Sequence, residues 1–371
     1  MSQTVIGTGS PQAVKKFSAL LAVDSARESY WQSRFMSAGP EAETPVQLLT
    51  DLEREQGEEI TYDLSMQLRH EGVEGDNIAD GKEEDLKFYT DSVKIDQLRV
   101  PMGTGGRMTK KRTKIDLMKS ALARGKDWWS RRFDELFFTY AAGARGVNSD
   151  YGLPMNFTGR TNNPLVAPDA AHIVYGGLST AQNTMVATDK MTAQLVRKAE
   201  ARAQVLGGGI TGIPGIAPCN IDGEKHYVMV MHTWQSYDMQ QDTGAAGWIE
   251  INKSLTTAIG KSSPLFKGGL GMINNVILHS HKAVPMFNNY GSGANVSAAR
   301  ALMLGRQALI CAFGDSGSKM RFDTVVETKD GGNRQIVFQG ATFGVKKSAF
   351  VIDGVSRDFG LFSVDTAAAA S

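Results

Sequence analysis

The sequence predicts an α+β protein in which one long helix packs against several strands. Three observations predict this fold class. Residues 60–68 alternate apolar and polar side chains, as half-buried strands do. Residues 116–142 carry apolar side chains at the helical repeat. Residues 320–364 hold three further strand-like runs, and no repeat at solenoid or propeller spacing is present in the sequence.

The composition is that of a globular protein without an excess of either charge. The chain has 371 residues, of which 42% are hydrophobic and 21% charged. Its 40 basic and 39 acidic side chains give a formal net charge of +1. A dedicated nucleic-acid binder would carry a strong basic excess, whereas a small net charge lets many copies of one protein pack together.

Cysteine usage and hydropathy indicate a reducing compartment and no membrane segment. Cys219 and Cys311 are too few for a disulfide framework, and we expect both to be small buried apolar side chains. The first ten residues lack a signal-peptide pattern. The most apolar stretch, residues 301–313, is interrupted by Arg306 and is too short to span a bilayer. Synthesis and assembly in a cytoplasm are therefore expected.

The first part of the chain is predicted to form two projecting arms. Residues 1–45 are interpreted as an arm outside the main core, with a helix that begins at Ser10-Pro11 and continues to about residue 36. The strand at 60–68 and a second strand-like run at 88–100 are predicted to form a two-stranded arm. Residues 71–85, rich in Gly, Asp and Glu, are its exposed, mobile tip.

A basic run follows a glycine-rich segment. Residues 103–106 are predicted to be a turn, and residues 107–114 include five basic side chains. Two interpretations stay open: a patch for phosphates or for an acidic neighbouring subunit, or a solvated strand edge whose charge discourages unwanted pairing.

The strongest helix in the sequence is predicted at 116–142, with glycines after it that commonly end helices. At a rise of 1.5 Å per residue, it spans about 40 Å. Its aromatic and apolar stripe is interpreted as core rather than as a cofactor site. The side chains of that stripe are Trp129, Phe133, Leu136, Phe137 and Tyr140.

The remainder of the chain alternates loops, helices and strands. Helices are predicted at 188–206 and 247–259, separated by a strand at 227–231, and a further strand is predicted at 276–281. The last part is predicted to hold strands at 322–326, 335–338 and 344–347.

No motif makes a convincing catalytic, cofactor or metal site. Gly314–Ser318 resembles the loop around the nucleophile of trypsin-like proteases, with Asp169–His172 as an echo of its histidine segment. The last glycine of that serine motif is Ser318 here, and a helix is predicted where that fold has barrels. The glycine run 207–212 follows a helix rather than a strand, which does not suit a dinucleotide site.

Histidines occur in pairs but lack metal-binding partners in the sequence. His279 and His281 would share one face of a strand, as would His226 and His232. Zinc needs three or four ligands, and the two cysteines are not spaced as a close pair. The sequence therefore predicts no catalytic residue, no cofactor and no metal.

Several short motifs, in matching order, resemble one family of major capsid proteins of tailed bacteriophages, typified by the short-tailed coliphage N-four. The similarity extends from about residue 49 to 365. The motifs are Glu83–Asp91 (EEDLKFYTD), Asp127-Trp128-Trp129, Asp134–Phe138 (DELFF), Pro264–Gly271 (PLFKGGLG), Gly344–Lys347 (GVKK) and Asp358-Phe359-Gly360.

This resemblance implies the capsid fold of the Hong Kong ninety-seven type. Five segments are expected: an N-terminal arm at 1–45, the first strand and extended loop at 46–115, a peripheral domain with the long spine helix at 116–225, an axial domain at 226–313, and C-terminal strands returning to the peripheral domain at 314–371. In that fold the extended loop reaches over the adjacent subunit. The candidate inter-subunit contacts are therefore Glu83, Glu84, Asp85, Arg107, Lys110, Lys111 and Arg112.

The resemblance also implies partners. The expected function is a virion shell of hexamers and pentamers around double-stranded DNA, which the inner surface contacts without sequence specificity. A separate scaffold protein is expected, because few residues precede the first strand, and a portal and a decoration protein are further candidate partners. The alternatives are an encapsulin-like compartment shell with the same fold and, from another class, the trypsin-like protease.

Overall fold

The computed structural model describes residues 29–39, 42–53, 56–66, 68, 70–207, 213–221, 223–242, 269–315 and 321–369. The helices are α1 (Tyr30–Arg34), α2 (Arg107–Arg112), α3 (Leu117–Ala142), α4 (Ala193–Val205) and α5 (Thr233–Gln240). The strands are β1 (Met36–Ala38), β2 (Val46–Leu49), β3 (Glu59–Ser65), β4 (Phe88–Lys94), β5 (Asp96–Gly106), β6 (Gly159–Arg160), β7 (Asn163–Pro164), β8 (Ile173–Tyr175), β9 (Cys219–Ile221), β10 (Glu224–Met231), β11 (Gly271–Ile273), β12 (Val276–Ser280), β13 (Met286–Tyr290), β14 (Val296–Leu304), β15 (Leu309–Phe313), β16 (Phe322–Lys329), β17 (Arg334–Lys347), β18 (Ala349–Ile352), β19 (Val355–Asp358) and β20 (Leu361–Ala367).

The first sheet is organised around the long strand β17. Its order is β1-β2-β15-β17-β16, and β5 pairs with the other edge of β17. The β16 and β5 partners flank the same N-terminal part of β17, from Arg334 to Ala341 and Phe343 respectively. Helix α3 lies on this sheet and its aromatic side chains join one core with those of β15, β16 and β17.

The second sheet has the order β11-β12-β10-β14-β20-β8, with β13 added to β14 and β9 added to β10. The β10–β12 and β20–β8 pairs are parallel, whereas β14 is antiparallel to both of its long neighbours. Helix α4 presents Leu195, Val196, Ala199 and Ala203 to this sheet, which forms a second apolar core.

A buried charge pair joins the second sheet to the end of α3. Arg300 on β14 donates to Asp365 on β20 at 2.8 Å and to the carbonyl oxygen of Ala142 at 2.7 Å. Tyr290 donates to the same carboxylate at 2.6 Å. Because the charges and the last helical carbonyl are satisfied by each other, this contact fixes where α3 ends relative to the second sheet.

Sequence explains the limits of α3. The Asp116 carboxylate accepts hydrogen bonds from the backbone N–H groups of Met118 and Lys119, which caps the N-terminus. Gly143 ends the helix at a φ of 68°, a conformation that glycine adopts without a steric cost. The predicted range 116–142 therefore agrees with the observed cap and helix.

The α+β fold class is confirmed, as are several individual elements. The helix predicted at 188–206 contains α4, and the strands predicted near 227–231 and 276–281 correspond to β10 and β12. Cys219 and Cys311 are both free and fully buried. Within the described part of the chain, no helix is long and apolar enough to cross a membrane.

Three predictions are corrected. Residues 103–106 are the end of β5 rather than a turn, because Thr104 donates to the Gln335 carbonyl oxygen and the segment stays paired with β17. The run at 88–100 is divided at Ile95, so that β4 pairs with β3 and β5 pairs with β17. The arm predicted outside the core is wrong for its last part, since Trp31 and Phe35 are fully buried against α3.

The five predicted segments stay a prediction, and the strand pairing of the two sheets joins residues from several of them. The second sheet takes in elements from β8 to β14, and the C-terminal strand β20 completes it rather than the first sheet. Strand β20 joins β14 and β8 through backbone hydrogen bonds between distant parts of the chain, which no local sequence pattern predicts. The helix predicted at 247–259, the glycine run at 208–212, Ser316 and Ser318 lie outside the described residues.

Candidate assembly surfaces

The predicted two-stranded arm is an antiparallel hairpin of β3 and β4. The register pairs Glu59 with Lys94 and Ser65 with Phe88. Its base is anchored on the first sheet, where Tyr62 donates to the Asp91 carboxylate at 2.6 Å and Lys346 of β17 binds the same carboxylate. Burial, followed by the adjacent Asp91 charge, raises the pKa of Tyr62, which therefore stays a neutral donor.

The acidic residues predicted as contacts lie on the loop between β3 and β4. Glu83 and Asp85 are exposed, and Glu84 is half-buried. Glu83 accepts a hydrogen bond from the Gly81 N–H at 2.7 Å, and Glu84 accepts one from the His70 N–H at 2.7 Å. Two of the three carboxylates thus help to shape their own loop.

The same hairpin also exposes a set of large apolar side chains, which the sequence interpretation missed. Their exposed fractions are 59% for Leu68, 74% for Ile78, 59% for Leu86 and 60% for Phe88. Four large apolar side chains exposed on one hairpin and its loop make this element a candidate interaction surface. The residues were visible in the sequence as apolar positions within and beside an acidic loop, but the sequence does not show whether such side chains are exposed.

The basic run forms helix α2, so the alternative of a strand edge is wrong, and the alternative of a patch for phosphates or for an acidic neighbouring subunit stays a prediction. Arg107 donates to the Gly332 carbonyl oxygen at 3.2 Å, and its N–H donates to the Asn333 side chain at 3.1 Å. Lys110 contacts the Gln335 side chain. These contacts hold α2 against the turn between β16 and β17.

The positive charge of α2 stays exposed. Lys111 and Arg112 are exposed, and with Lys110 they occupy the last turn, where positive charge is favoured by the helix dipole. The structure ties the acidic loop residues and α2 to different parts of the subunit, so their pairing across subunits stays a prediction.

The stripe predicted on α3 is the centre of the first core. The five side chains Trp129, Phe133, Leu136, Phe137 and Tyr140 are each no more than 2% exposed. Phe133 lies 4.7 Å from Phe343 and 5.9 Å from Phe313, measured between ring centroids. Tyr140 donates to the Asn163 carbonyl oxygen at 2.9 Å, which satisfies its hydroxyl within the core.

His279 and His281 are packed among aromatic side chains. His281 stacks on Phe138 at 5.0 Å and lies 4.6 Å from the Tyr30 ring. Burial, followed by the nearby Lys282 charge, lowers the pKa of His281 to about 4. His279 is fully buried, and in the described part of the chain no group of three or more His, Cys, Asp or Glu side chains is arranged to hold a metal ion.

His172, the candidate base of the protease interpretation, is sealed from solvent. Its Nδ1 lies 2.7 Å from Asp169, but the side chain has no exposed surface. The neighbouring Lys347–Asp358 ion pair, at 2.7 Å, is equally buried. A histidine in this position cannot contact a peptide substrate. His172 and Asp169 instead pack between β19 and the segment before β8.

Comparison with known proteins gives one consistent result. A family model described as phage capsid protein matches residues 5–370. The major capsid protein of Pseudomonas phage KPP25 is 25% identical over 363 residues, covering 90% of each chain. The capsid of Ralstonia phage GP4 matches with a TM-score of 0.84 at 44% identity, covering 100% of this chain and 99% of that one. The capsid of cyanophage Pam1 matches with a TM-score of 0.68 at 20% identity, covering 90% and 91%, which shows a shared fold.

Proposed function

We propose that this chain, which belongs to the phage capsid protein family and is the major structural subunit of a phage shell, assembles as hexamers and pentamers into an icosahedral capsid around packaged double-stranded DNA. The shell role itself follows from the family match over residues 5–370 and from the 44% identity to the Ralstonia phage GP4 capsid. This shell role makes the chain a structural protein and not a trypsin-like protease.

In this proposal the chain has the capsid fold of the Hong Kong ninety-seven type and is related to the capsid proteins typified by that of the coliphage N-four. Helix α3 is then the spine helix of the peripheral domain at 116–225, the β3–β4 hairpin is the extended loop, residues 226–313 are the axial domain, and residues 314–371 return to the peripheral domain. The supporting observation is their arrangement: a 26-residue helix lies on a sheet built around one long strand, and the hairpin is anchored to that strand through Asp91 and Lys346.

The observation that carries the assembly proposal is the exposed apolar surface of the hairpin. Leu68, Ile78, Leu86 and Phe88 are exposed by 59–74% in the single subunit. Burying one such side chain contributes about 1.5–3 kcal/mol. A neighbouring subunit under the hairpin would remove these side chains from water, which gives a favourable term that the isolated subunit lacks.

The proposed partners follow from this role. A separate scaffold protein guides assembly in the host cytoplasm, a portal occupies one vertex, and a decoration protein is a further candidate. DNA meets the inner surface without sequence specificity, in keeping with a formal net charge of only +1 for the chain. The exposed cations of α2 provide one place for phosphate or for an acidic neighbour.

The test is assembly of the full chain, expressed with and without the scaffold protein from the same genome. Light scattering and negative-stain electron microscopy should show closed particles in at least one condition. Ile78→Ser should reduce particle yield without changing the unfolding of the unassembled subunit, because Ile78 is 74% exposed there. Met155→Ser, at a side chain 66% exposed outside the hairpin, is the matched control. A chain that stays a compact monomer in both conditions would refute the proposal.

A further inference from the structure

An aromatic cleft of about 1010 Å³ lies between the C-terminal half of α3 and the edge of the second sheet. We define it by Asp134, Val147, Trp234, Tyr237, Met286 and Phe287. Its apolar side chains are only partly covered: Val147 and Trp234 are each 37% exposed, and Tyr237 is 47% exposed. Trp234 and Tyr237 contact each other edge to face at 6.2 Å, so they form one continuous surface.

The described chain begins at the wall of this cleft. Ser29 donates to Asp134 at 2.7 Å, and the backbone N–H groups of Tyr30 and Trp31 donate to the same carboxylate at 3.0 and 3.2 Å. The Tyr30 ring also lies 4.6 Å from His281, which lines the cleft. Four contacts of the folded subunit therefore hold Ser29, Tyr30 and Trp31, the first described residues, at the wall of this cleft.

The segment before Ser29 has the chemistry of a cleft ligand. Val14, Phe17 and Leu21 follow each other at the three- and four-residue spacing of one helical face, and Leu20 lies beside them. Lys15 and Ala22 fall on the opposite face of the same predicted helix. A helix over residues 11–23 would present one apolar edge about 20 Å long, which needs an apolar partner.

The tether favours the cleft of the same subunit. Residues 24–28 separate Val23, the last apolar position of that stretch, from Ser29, and even a fully extended chain of that length reaches at most about 20 Å. A segment held so close to its binding surface has an effective concentration in the millimolar range. Weak apolar contacts are then sufficient for occupancy, whereas a segment from another copy would have to bind from free solution.

We propose that the N-terminal segment of this chain docks into the aromatic cleft of its own subunit, with Phe17 and Leu21 against Trp234 and Tyr237. The arm and the subunit body then form one unit before any contact with a neighbour. The mixed charges at the rim, where Asp150 and Lys282 lie 3.6 Å apart, can meet the Lys and Asp side chains of the segment's polar edge.

The first test is disulfide trapping in the unassembled full-length chain, so the outcome does not depend on shell formation. The pair Leu21→Cys with Tyr237→Cys should form an intramolecular disulfide on mild oxidation, seen as a reducible shift of the monomer band and as a crosslinked peptide by mass spectrometry. The control pair, Ala22→Cys with Tyr237→Cys, should crosslink far less. The native Cys219 and Cys311 do not interfere, because both are fully buried. Equal crosslinking of the two pairs, or a disulfide found only in dimers, would overturn the proposal.

The second test is hydroxyl-radical footprinting of the same unassembled chain. Phe17→Ser combined with Leu21→Ser should raise the oxidation of Trp234 and Tyr237 severalfold, because their cover is lost. Lys15→Ser combined with Ala22→Ser should leave their oxidation unchanged. If the apolar double variant leaves both aromatic side chains as reactive as in the wild type, another occupant or none covers the cleft, and the proposal fails.

Discussion

Gly125 of α3 provides a quantitative test of how the helix lies on the first sheet. The helix lies close to the sheet at this residue: a Cβ atom added there would collide with the Gln339 side-chain oxygen and lie 2.8 Å from Met102 Cε. Gln339 is 1% exposed and has little room to move. Glycine within a helix is otherwise unfavourable by about 1 kcal/mol relative to alanine, so two effects of opposite sign compete in Gly125→Ala.

The magnitude follows from these two effects. Overpacking of a close-packed core costs about 1–3 kcal/mol, and the gain in helix propensity returns about 1 kcal/mol. We expect Gly125→Ala to lower the free energy of unfolding by up to about 2 kcal/mol. In a Gln339→Ala background the nearer obstacle is removed, and only the flexible end of Met102 remains at 2.8 Å. The same substitution should then cost less than in the wild type, or become stabilising by up to about 1 kcal/mol.

The assay is urea unfolding of the unassembled subunit, followed by circular dichroism, for the two single variants and the double variant. Ala123→Gly, at an exposed position of the same helix, sets the local scale of helix propensity. The reasoning is refuted if Gly125→Ala already stabilises the wild type by the amount that Ala123→Gly costs, because the helix would then not approach the sheet as closely as described.

Three further predictions follow from the structure. Phe133→Ala, which removes a fully buried ring, should lower the free energy of unfolding by about 3–5 kcal/mol, measured as a shift of the urea midpoint. Charge reversal of Glu83, Glu84 and Asp85 to Lys should weaken particle assembly at low salt. The effect should be much smaller at about 1 M salt, where the Debye length is only about 3 Å. Identical assembly of variant and wild type at every salt concentration would mean that these charges serve solubility alone. His281→Phe should reduce the loss of stability on acidification. The pKa of His281 is lowered to about 4 in the folded chain, so its neutral ring contributes stability that is present above about pH 6.5 and is lost as the pH falls towards about 4.

Two controls sharpen these measurements. Met108→Ala, at a side chain 59% exposed, should change the urea midpoint little. It measures the effect of truncating an apolar side chain that is not buried. Asp134 contributes a pH dependence of stability opposite to that of His281. Burial raises the pKa of Asp134 to about 6, so the stability from its protonated form is lost as the pH rises through that value. The His281→Phe variant is therefore compared with the wild type at each pH, and parallel pH profiles would contradict the assignment to His281.

Local patterns predicted the elements whose sequence repeats over many residues. Helix α3 was visible because its buried stripe recurs over many turns and because Asp116 and Gly143 mark its ends. The hairpin β3–β4 was visible from alternation on both sides of an acidic loop. These signals depend on neighbours within one element, which the sequence shows directly.

Features that depend on distant contacts could not be predicted in the same way. Helix α2 has only six residues, and the structure holds it against the turn between β16 and β17, more than two hundred residues further along the chain. Trp31 and Phe35 belong to the core because Asp134 caps α1, and Gly125 matters only because a buried strand passes beneath it. Strand β20 joins the second sheet through backbone pairing, which leaves no side-chain signature.

A cryo-electron microscopy reconstruction of particles assembled from this chain tests the central claim most directly. We predict a closed shell of hexamers and pentamers in which Leu68, Ile78, Leu86 and Phe88 of each hairpin are covered by a neighbouring subunit, while α3 stays on the first sheet as in the single subunit. Particles in which all four side chains remain exposed to solvent, or a protein that forms no ordered lattice with its scaffold present, would contradict the claim that this hairpin joins the subunits of the shell.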